Sequence, residues 1–394
     1  MRRWSLKARV VIPVQGQPHS GGVITIEGDR IAGVGPMGPA DIDLGDVAVV
    51  PGLVNAHAHL DLSDCERPLN MEGTFADWIG RVIRHRNRQG AKPDAAIRMG
   101  IDEILKTATT LVGDINSTAD SRELLEKSPI DAVVYREVIG VDAQRAESSW
   151  MEMEKWLSAT NHEGKVLSGI SPHAPYSTRI DLMLKAAGSG LRTQIHLGET
   201  TEEFDFLTRR SGPLVELLAH LGLDATTDLA NSFEAVLRAL PGASVVHANV
   251  LSVDDCVRGG RSVIHCPATH RQFGRMPFSL NCLVSAGVNV GFGTDSRASS
   301  PTLNLGEHLS HLMEGPESLA PLEILRCATS GGAKALELDS DHGDITVGKF
   351  ANLVVVPFVK EADRWEEVIE GLANPRAVLW RGKWRENTVL AKPA

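Results

Sequence analysis

The chain has 394 residues, of which 42% are hydrophobic and 23% are charged, and its formal net charge is -10 at pH 7. This balance is typical of a globular protein, and the acidic charge argues against a nucleic-acid partner, because phosphates attract clustered lysines and arginines. Five scattered cysteines do not make a disulfide framework, and no apolar run reaches the ~20 residues of a membrane span. We therefore expect a cytoplasmic protein without nucleic-acid or membrane partners.

Both ends of the chain have the pattern of short strands joined by turns. Segments rich in Val and Ile, separated by Gly-containing turns, favour strands at residues 7–14, 23–27, 31–34, 351–357 and 377–380. We expect residues 1–50 and 341–394 to pair into one small composite β-sandwich domain.

Residues 51–340 alternate short apolar runs with longer helical stretches, which is the pattern of βα units and a parallel sheet. Eight runs occur before or within this region, at residues 49–54, 110–114, 132–138, 167–170, 192–195, 244–246, 262–264 and 288–292. Eight strands with helices between them predict the α/β class and a (β/α)8 TIM-like barrel.

Residues 81–88 (RVIRHRNR) form the nearest approach to a basic run in the chain. A run of this kind is usually the solvated face of a helix. We expect these arginines to face solvent.

Metal-ligand side chains follow several of the predicted strands. His57 and His59 close the first run, and alternate strand residues point to the same face, so both imidazoles point the same way. His196, His247 and Asp295 directly follow later runs, at the same end of their strands. Any one of them would also fit a core histidine or a helix cap. Three of these four histidines and the aspartate suit one divalent ion with an open position for water, which predicts a hydrolytic metal site.

The chain resembles the amidohydrolase superfamily at several ordered motifs. Residues 50–59 (VPGLVNAHAH) are similar to the opening of the superfamily barrel, and the resemblance continues through His196, His247 and Asp295. Residues 343–356 (GDITVGKFANLVVV) resemble the strand by which the chain re-enters the small β domain. Asn352 stands where the family usually has Asp, which we expect to matter little so far from the metal.

The resemblance implies one metal rather than two. Two-metal members usually carry a bridging lysine at the end of the fourth strand, and residues 171–176 contain none. The implied ligands are His57, His59, His196 and Asp295. Such a set of three nitrogens and one oxygen accepts Zn²⁺, the ion that we expect, and also Fe²⁺.

The resemblance also implies acid–base roles for two of these residues and one other. His247 would orient or polarise the attacking water, and Asp295 would accept a hydrogen bond from it. Glu199, three residues past His196, would carry protons between the water and the leaving group. The alternative for Glu199 is an acidic residue that the dipole of a helix N-terminus stabilises.

The substrate class is implied by three segments. Residues 171–177 (SPHAPYS) look like the strand-four motif of the deaminases of S-adenosylhomocysteine, methylthioadenosine and aminodeoxyfutalosine, in which the histidine contacts the substrate. Residues 265–273 and 293–301 look like sequences assigned as aminodeoxyfutalosine deaminase-like. We therefore expect hydrolytic deamination of an aminated purine nucleoside, with water attacking C6 and ammonia leaving.

Specificity residues follow less directly from the sequence. We expect substrate contacts from His173, His270, Arg271, Trp78 and Arg81, with Glu137 as a further candidate. Trp78 and Arg81 lie in a segment after His59 that would form a lid, although helix packing alone would also explain Trp78.

Two alternatives share much of this reasoning. Another one-metal amidohydrolase, such as a chlorohydrolase or a guanine or cytosine deaminase, would use the same site with a different substrate or leaving group. A barrel without catalysis would have lost its ligands, whereas this chain keeps all of them and Glu199. The sequence leaves homo-oligomerisation open.

Overall fold

The computed structural model of the chain describes residues 2–89, 93–117, 120–159, 164–224, 228–258, 262–276, 278, 280–315, 318–358 and 365–386. Its elements follow one another in three blocks: a set of short strands, a long series of βα units, and a second set of short strands. Among the described residues, no helix is both long enough and apolar enough to cross a lipid bilayer.

The first block consists of seven short strands. They are β1 Arg3–Lys7, β2 Val10–Val11, β3 His19–Ser20, β4 Val23–Glu27, β5 Arg30–Gly35, β6 Ile42–Asp43 and β7 Val47–Pro51. The single strand expected at residues 7–14 is wrong, because the chain changes sheet there. Lys7 still pairs with β4, whereas Val10 and Val11 pair with β7 and β3.

The second block holds the parallel strands of the barrel and the helices between them. The strands are β8 Leu53–His59, β9 Thr109–Asn116, β10 Asp131–Val138, β11 Val166–Pro172, β12 Arg192–Leu197, β13 Ser244–His247, β14 Ser262–His265, β15 Asn289–Phe292 and β16 Asp295–Ser296. The first seven helices are α1 Phe75–Gln89, α2 Pro93–Leu105, α3 Arg122–Glu126, α4 Ala143–Ala159, α5 Ile180–Gly188, α6 Thr201–Arg209 and α7 Pro213–His220. The others are α8 Phe233–Ala239, α9 Val253–Arg258, α10 Pro267–Gln272, α11 Leu280–Ser285, α12 Leu305–Leu309, α13 Pro321–Arg326 and α14 Gly332–Ala335.

Strands β8 to β15 lie side by side in chain order, and every pair is parallel. The short strand β16 directly follows β15 and pairs with β8, so the two ends of the sheet meet. Asn55 and Thr294 fasten this junction with two hydrogen bonds of 2.8 and 3.1 Å. The arrangement is the TIM-like barrel that the apolar runs predict, and it brings the C-terminal ends of the strands to one face.

The first predicted strand, residues 49–54, is split between two sheets. Val50 belongs to β7, and Leu53 and Val54 belong to β8. The change of sheet occurs at Gly52, whose amide donates to Asn352 O at 2.9 Å. A Cβ at Gly52 would clash with the Thr110 side chain, so only glycine lets the chain enter the barrel this close to β9.

The third block returns to the first. It consists of β17 Leu353–Pro357, α15 Trp365–Gly371, β18 Ala377–Trp380 and β19 Lys383–Trp384. Strand β17 pairs antiparallel with β7, which gives a six-stranded sheet in the order β19-β18-β17-β7-β2-β3. The remaining strands form a four-stranded sheet in the order β5-β4-β1-β6. Both sheets contribute to one apolar cluster, which includes Leu6 and Ile24 from one and Val49 and Val355 from the other.

The small sheets are joined to the barrel at the start of β10. The carboxylate of Asp131 accepts hydrogen bonds from Trp380 Nε1 at 2.9 Å and Arg381 Nε at 2.8 Å. Asn352 Nδ2 donates to the same carboxylate at 3.3 Å. This junction lies at the N-terminal ends of the barrel strands, the face on which such barrels carry stability rather than catalysis.

Helix α1 contains the basic segment, and one of its arginines is not solvated as expected. Arg86 pairs with Asp61 at 3.2 Å, and the two side chains are 20% and 1% exposed. The segment after β8 buries this aspartate, so its charge draws Arg86 inward. The start of α1 is held by α6, because the Glu202 carboxylate accepts from the amides of Phe75 at 2.7 Å and Ala76 at 3.3 Å.

Candidate metal centre and active site

The five ligand-type residues singled out by the sequence lie together at the C-terminal face of the barrel. His57 and His59 end β8, His196 lies near the end of β12, His247 ends β13 and Asp295 begins β16. All five side chains are buried. The parallel register places His196 and His247 at the ends of adjacent strands, which is why residues far apart in the chain meet here.

Three imidazoles converge on one point. The Nε2 atom of His196 lies 3.2 Å from that of His57 and 3.4 Å from that of His59. Burial lowers the pKa of His57 to about 3, and it lowers the pKa of His59 well below the usual value. Near neutral pH these rings are therefore uncharged, the form in which imidazole binds metals.

Hydrogen bonds at the opposite ring nitrogens fix the tautomers. Gln194 Nε2 donates to Ala56 O at 2.9 Å, so its Oε1 faces His57 Nδ1, which donates to it at 3.1 Å. The Nδ1 atom of His196 donates to His173 O at 2.9 Å. Both Nε2 atoms consequently carry lone pairs and face each other, an arrangement that repels unless a cation lies between them.

Asp295 completes the donor set. One carboxylate oxygen, Oδ2, accepts hydrogen bonds from Ser299 at 2.8 Å and Thr269 at 3.2 Å. The other, Oδ1, lies 3.9 Å from His57 Nε2 and 3.6 Å from His59 Nε2. Zinc binds imidazole nitrogen at about 2.0–2.1 Å, so ligands around a tetrahedral ion lie about 3.4 Å apart. The residues present therefore fit a divalent metal ion.

The backbone is strained on this face. His247, Ala248 and Asp295 have φ angles of 74°, 55° and 59°, in the left-handed region that side chains with a Cβ rarely adopt. Such strain persists only where surrounding contacts fix it, and it is common where a side chain must be aimed at a reacting group.

Glu199 lies beside the donor cluster without belonging to it. Its Oε2 is 3.7 Å from His247 Nε2, and its Oε1 accepts a hydrogen bond from Arg275 Nη2 at 2.9 Å. The backbone amide of Glu199 donates to the buried carboxylate of Glu203 at 2.8 Å, and Thr200 caps the same helix. Glu199 is thus held through its carboxylate by Arg275 and through its backbone amide by Glu203, next to the converging imidazoles.

Arg275 is a site residue that sequence reasoning missed. Its guanidinium packs over the Phe273 ring at 4.3 Å and the Phe75 ring at 5.9 Å, and its side chain is 11% exposed. The residue follows α10 in an irregular segment, where no periodicity indicates which way a side chain points. Only the fold shows that this arginine reaches Glu199.

The cluster lies at the bottom of a cavity with two unlike walls. One wall is apolar and comes from α1, α7 and the residues after α7: Trp78, Ile79, Val82, Ile83, Leu217, Leu218, Leu221 and Leu223. The other carries Glu137, His173 and Tyr176 from the ends of β10 and β11. His59, His196, Glu199, His247 and Asp295 line the same cavity. One small molecule would therefore contact both walls and the donor cluster.

Glu137 is the most unusual side chain on the polar wall. It is 1% exposed, and neither carboxylate oxygen has a hydrogen-bond partner among the described residues. His173 Nε2 lies 4.0 Å from it, while His173 Nδ1 is 2.6 Å from Ser177 Oγ. Burial alone would raise the pKa of Glu137, but the nearby His173 and Arg86 lower it by a larger amount, so the net shift is downward. An ionised, unpartnered carboxylate therefore faces the cavity.

Residues 48–385 match the model of the amidohydrolase family. The chain belongs to this family. The amidohydrolase is 27% identical over 377 residues to the 5-methylthioadenosine/S-adenosylhomocysteine deaminase of Moorella thermoacetica, with 89% of this chain and 85% of that protein covered. It is 28% identical over 396 residues to the aminodeoxyfutalosine deaminase of Deinococcus radiodurans, with 92% and 88% covered.

Solved structures support the fold of this amidohydrolase. The aminofutalosine deaminase of Helicobacter pylori, solved with methylthio-coformycin, superposes with a TM-score of 0.83 at 21% identity, covering 97% of this chain and 100% of that one. An adenosine deaminase of Xanthomonas campestris with bound zinc superposes with a TM-score of 0.79 at 21% identity, covering 98% and 93%. At these identities the likeness establishes the barrel fold alone.

Three of the residues expected to contact the substrate of this amidohydrolase, His270, Arg271 and Arg81, are absent from the described lining of the cavity, and a substrate role for them stays a prediction. His270 is buried, and its ring nitrogens lie 3.1 Å from Asn249 Oδ1 and 2.8 Å from Met276 O. Arg271 is exposed on α10. Arg81 turns back along α1 to donate to Asn70 O at 3.1 Å. Each of these residues lies on a helix, where neighbouring side chains point in different directions, so a position next to the cavity in sequence does not bring the side chain into it.

We expect His57→Ala to lower the affinity for divalent metal by more than the about 10- to 100-fold that loss of an outer-shell partner costs. The measurement is metal content per chain after dialysis against a weak chelator. His220→Ala, on the exposed end of α7, is the matched control and should keep its metal. Equal metal content in the two variants would contradict the assignment.

Proposed function

We propose that this amidohydrolase is a hydrolytic deaminase of an aminated purine nucleoside, of the aminodeoxyfutalosine or adenosine type, which releases ammonia from C6. The observation that carries the proposal is the Glu199 carboxylate, which lies in one cavity with a cluster of metal-type donors but outside that cluster. The relatives named as deaminases of 5-methylthioadenosine, S-adenosylhomocysteine and aminodeoxyfutalosine support the substrate class.

His57, His59, His196 and Asp295 would hold one divalent metal. Zinc is the proposed ion, with iron as the alternative, and the zinc bound to the similar adenosine deaminase supports this choice. When bound, the metal lowers the pKa of water enough to supply hydroxide near neutral pH. The lone pairs that converge at 3.2 and 3.4 Å are the feature of this chain that supports the metal.

Glu199 and His247 would handle the protons. Water adds its oxygen to C6, and Glu199 accepts the proton that the water loses. Glu199 then returns a proton to the amino nitrogen, so that the C6–N bond breaks and ammonia leaves. Burial lowers the pKa of His247 well below the usual value, so this ring stays neutral and orients the attacking water through Nε2. Asp295 would accept a hydrogen bond from the same water.

Arg275 would act through Glu199 as a positioning residue. Its ion pair holds Oε1, which leaves Oε2 to face His247 and the reacting atoms. Because Arg275 also packs on Phe75 at the start of α1, the position of the carboxylate is tied to the helix that forms the apolar wall.

The substrate would lie between the two walls. His173 and Trp78 line the cavity, as the substrate role proposed for them requires. The Nε1 atom of Trp78 is a buried donor without a partner among the described residues, and Glu137 offers two buried acceptor oxygens. We propose that Glu137 accepts hydrogen bonds from hydroxyl or amino groups of the substrate, because a bound donor would satisfy both oxygens.

Two further proposals concern the whole chain. The shared apolar cluster supports a composite β-sandwich domain of residues 1–50 and 341–394, with residues 51–340 forming the catalytic barrel. All five cysteines are free of disulfides, which supports a reducing, cytoplasmic location.

A chlorohydrolase would share the site and release chloride instead of ammonia.

The direct test is ammonia release from a panel of adenine nucleosides by the metal-loaded enzyme. We expect activity on at least one member, and we expect Glu199→Gln to lower kcat by about 10²- to 10⁴-fold, because the amide cannot accept a proton. Glu234→Gln, on the exposed face of α8, is the control. Chloride release from a chlorinated analogue together with silence across the nucleoside panel would favour the chlorohydrolase.

We expect Arg275→Met to lower kcat by about 10- to 100-fold with little change in KM, because the buried Glu199 carboxylate loses its charged partner. Arg275→Lys, which keeps the charge, should recover part of the loss. Added guanidinium should partly restore Arg275→Met, a result that a merely structural role would not produce. Arg238→Met, which removes an exposed arginine of α8, should have no effect.

We expect Glu137→Gln to raise KM more than it lowers kcat, by about 10-fold or more, since a charged acceptor contributes about 1.5–3 kcal/mol per hydrogen bond. The measurement is steady-state kinetics with a nucleoside and with the same nucleoside lacking its sugar hydroxyls. A variant that discriminates between the two substrates as strongly as the wild type would show that Glu137 does not contact the hydroxyls.

A further inference from the structure

A second group of metal-type side chains lies outside the active-site cavity. Asp64 and Cys65 follow the short 3-10 turn at Leu60–Leu62, and His85 lies on α1. The Nε2 atom of His85 is 2.9 Å from Asp64 Oδ1 and 3.4 Å from Cys65 Sγ. One carboxylate oxygen, one sulfur and one imidazole nitrogen thus lie within 4.8 Å of one another.

The geometry of this group is that of converging ligands. In a Cys-His-Asp proton relay, the thiol and the carboxylate contact opposite nitrogens of the ring. Here both contact the same nitrogen, which carries at most one hydrogen, so the carboxylate cannot orient the ring toward the thiol. The arrangement excludes a nucleophilic thiol of the relay type, and it matches three donors aimed at one ion.

The backbone around these residues is fixed, and the group has a path to solvent. Arg297 donates to the carbonyl oxygens of Cys65 at 3.3 Å and Glu66 at 2.8 Å, and the Cys65 amide donates to Leu62 O at 3.3 Å. Cys65 is 4% exposed, whereas the side chains of Asp64 and His85 are 30% and 23% exposed. An ion would therefore find its sulfur ligand buried and would have room for a water molecule as a fourth ligand.

We propose that Asp64, Cys65 and His85 form an accessory binding site for a borderline divalent cation of the Zn²⁺ type. A mixed set of sulfur, nitrogen and oxygen donors favours such a cation over Mg²⁺ or Ca²⁺, which prefer oxygen ligands alone. On binding, the thiol releases its proton to solvent and the thiolate sulfur bonds to the ion. The site shares no residue with the proposed catalytic metal site.

The location gives the ion a structural consequence. It would join α1, which forms the apolar wall of the cavity, to the segment that directly follows His59. The neighbouring Arg86–Asp61 pair already joins the same two segments. The ion would therefore fasten the wall against which the substrate packs.

Cobalt absorption tests the site independently of catalysis. The full-length protein is stripped of metal by chelation and titrated with Co²⁺, and absorption is followed in the near ultraviolet, where thiolate–Co²⁺ charge transfer appears. The proposed catalytic ligands are nitrogen and oxygen only, so a thiolate band can arise only elsewhere. We expect the wild type to show the band and to bind one Co²⁺ equivalent more than Cys65→Ser, which loses the band.

Three control variants make the result specific. Cys266→Ser, at the barrel face, and Cys282→Ser, an exposed cysteine, should keep the band, and His57→Ala should keep it while losing metal from the catalytic site. If Cys65→Ser does not fold, His85→Gln takes its place as the test variant, and it should also lose the band. Absence of the band from the wild type at saturating Co²⁺, or its persistence in folded Cys65→Ser, would overturn the proposal. Either outcome leaves the deaminase proposal untouched.

Discussion

The meeting of three buried imidazoles is the constraint on which the rest of the active site depends. Two Nε2 lone pairs 3.2 Å apart are unfavourable without a cation, yet Gln194 and the carbonyl of His173 hold both rings in that tautomer. The barrel supplies the rigidity that this requires, because the rings project from strands whose register is fixed by hydrogen bonds on both sides. Stability elsewhere in the fold offsets the repulsion, which a bound metal would relieve.

The residues proposed for acid–base catalysis are held by a different set of contacts. Positive φ angles at His247, Ala248 and Asp295 aim side chains that regular strand ends would direct elsewhere. Hydrogen bonds compensate for this strain: Ser299 and Thr269 hold one oxygen of Asp295, and Glu203 holds the turn that carries Glu199. The proposed metal donor Asp295 and the proposed proton carrier Glu199 are thus held by different neighbours, so a change at one need not disturb the other.

The sequence predicted what depends on local order, and it missed what depends on distant packing. Seven of the eight apolar runs and the end of the first became barrel strands, whose side chains are largely buried on both faces. The residues that follow these strands meet at one face because the strands are parallel and adjacent. The break at Gly52 was missed, since both sides of it are equally apolar and only the proximity of Thr110 separates them. Arg86 was taken as solvated because its partner, Asp61, lies 25 residues away. His270 and Arg271 follow a strand end, as several residues that line the cavity do. Helix α10 nevertheless buries His270 in the core and leaves Arg271 exposed.

The proposed catalytic residues and the apolar wall that would select the substrate come from different parts of the fold. The residues proposed to move protons or to hold a metal lie at or just after strand ends, which the barrel fixes. The apolar wall comes from α1 and α7, which the barrel only supports. Helix α1 is tied to the site at three points: Glu202 at its start, Arg275 against Phe75, and Arg86 paired with Asp61. A displacement of α1 would therefore change the shape offered to the substrate and, through Arg275, the position of the Glu199 carboxylate. Substrate fit and proton transfer are coupled through one helix, so a substrate that packs poorly against this wall would react slowly even when its purine reaches the donor cluster.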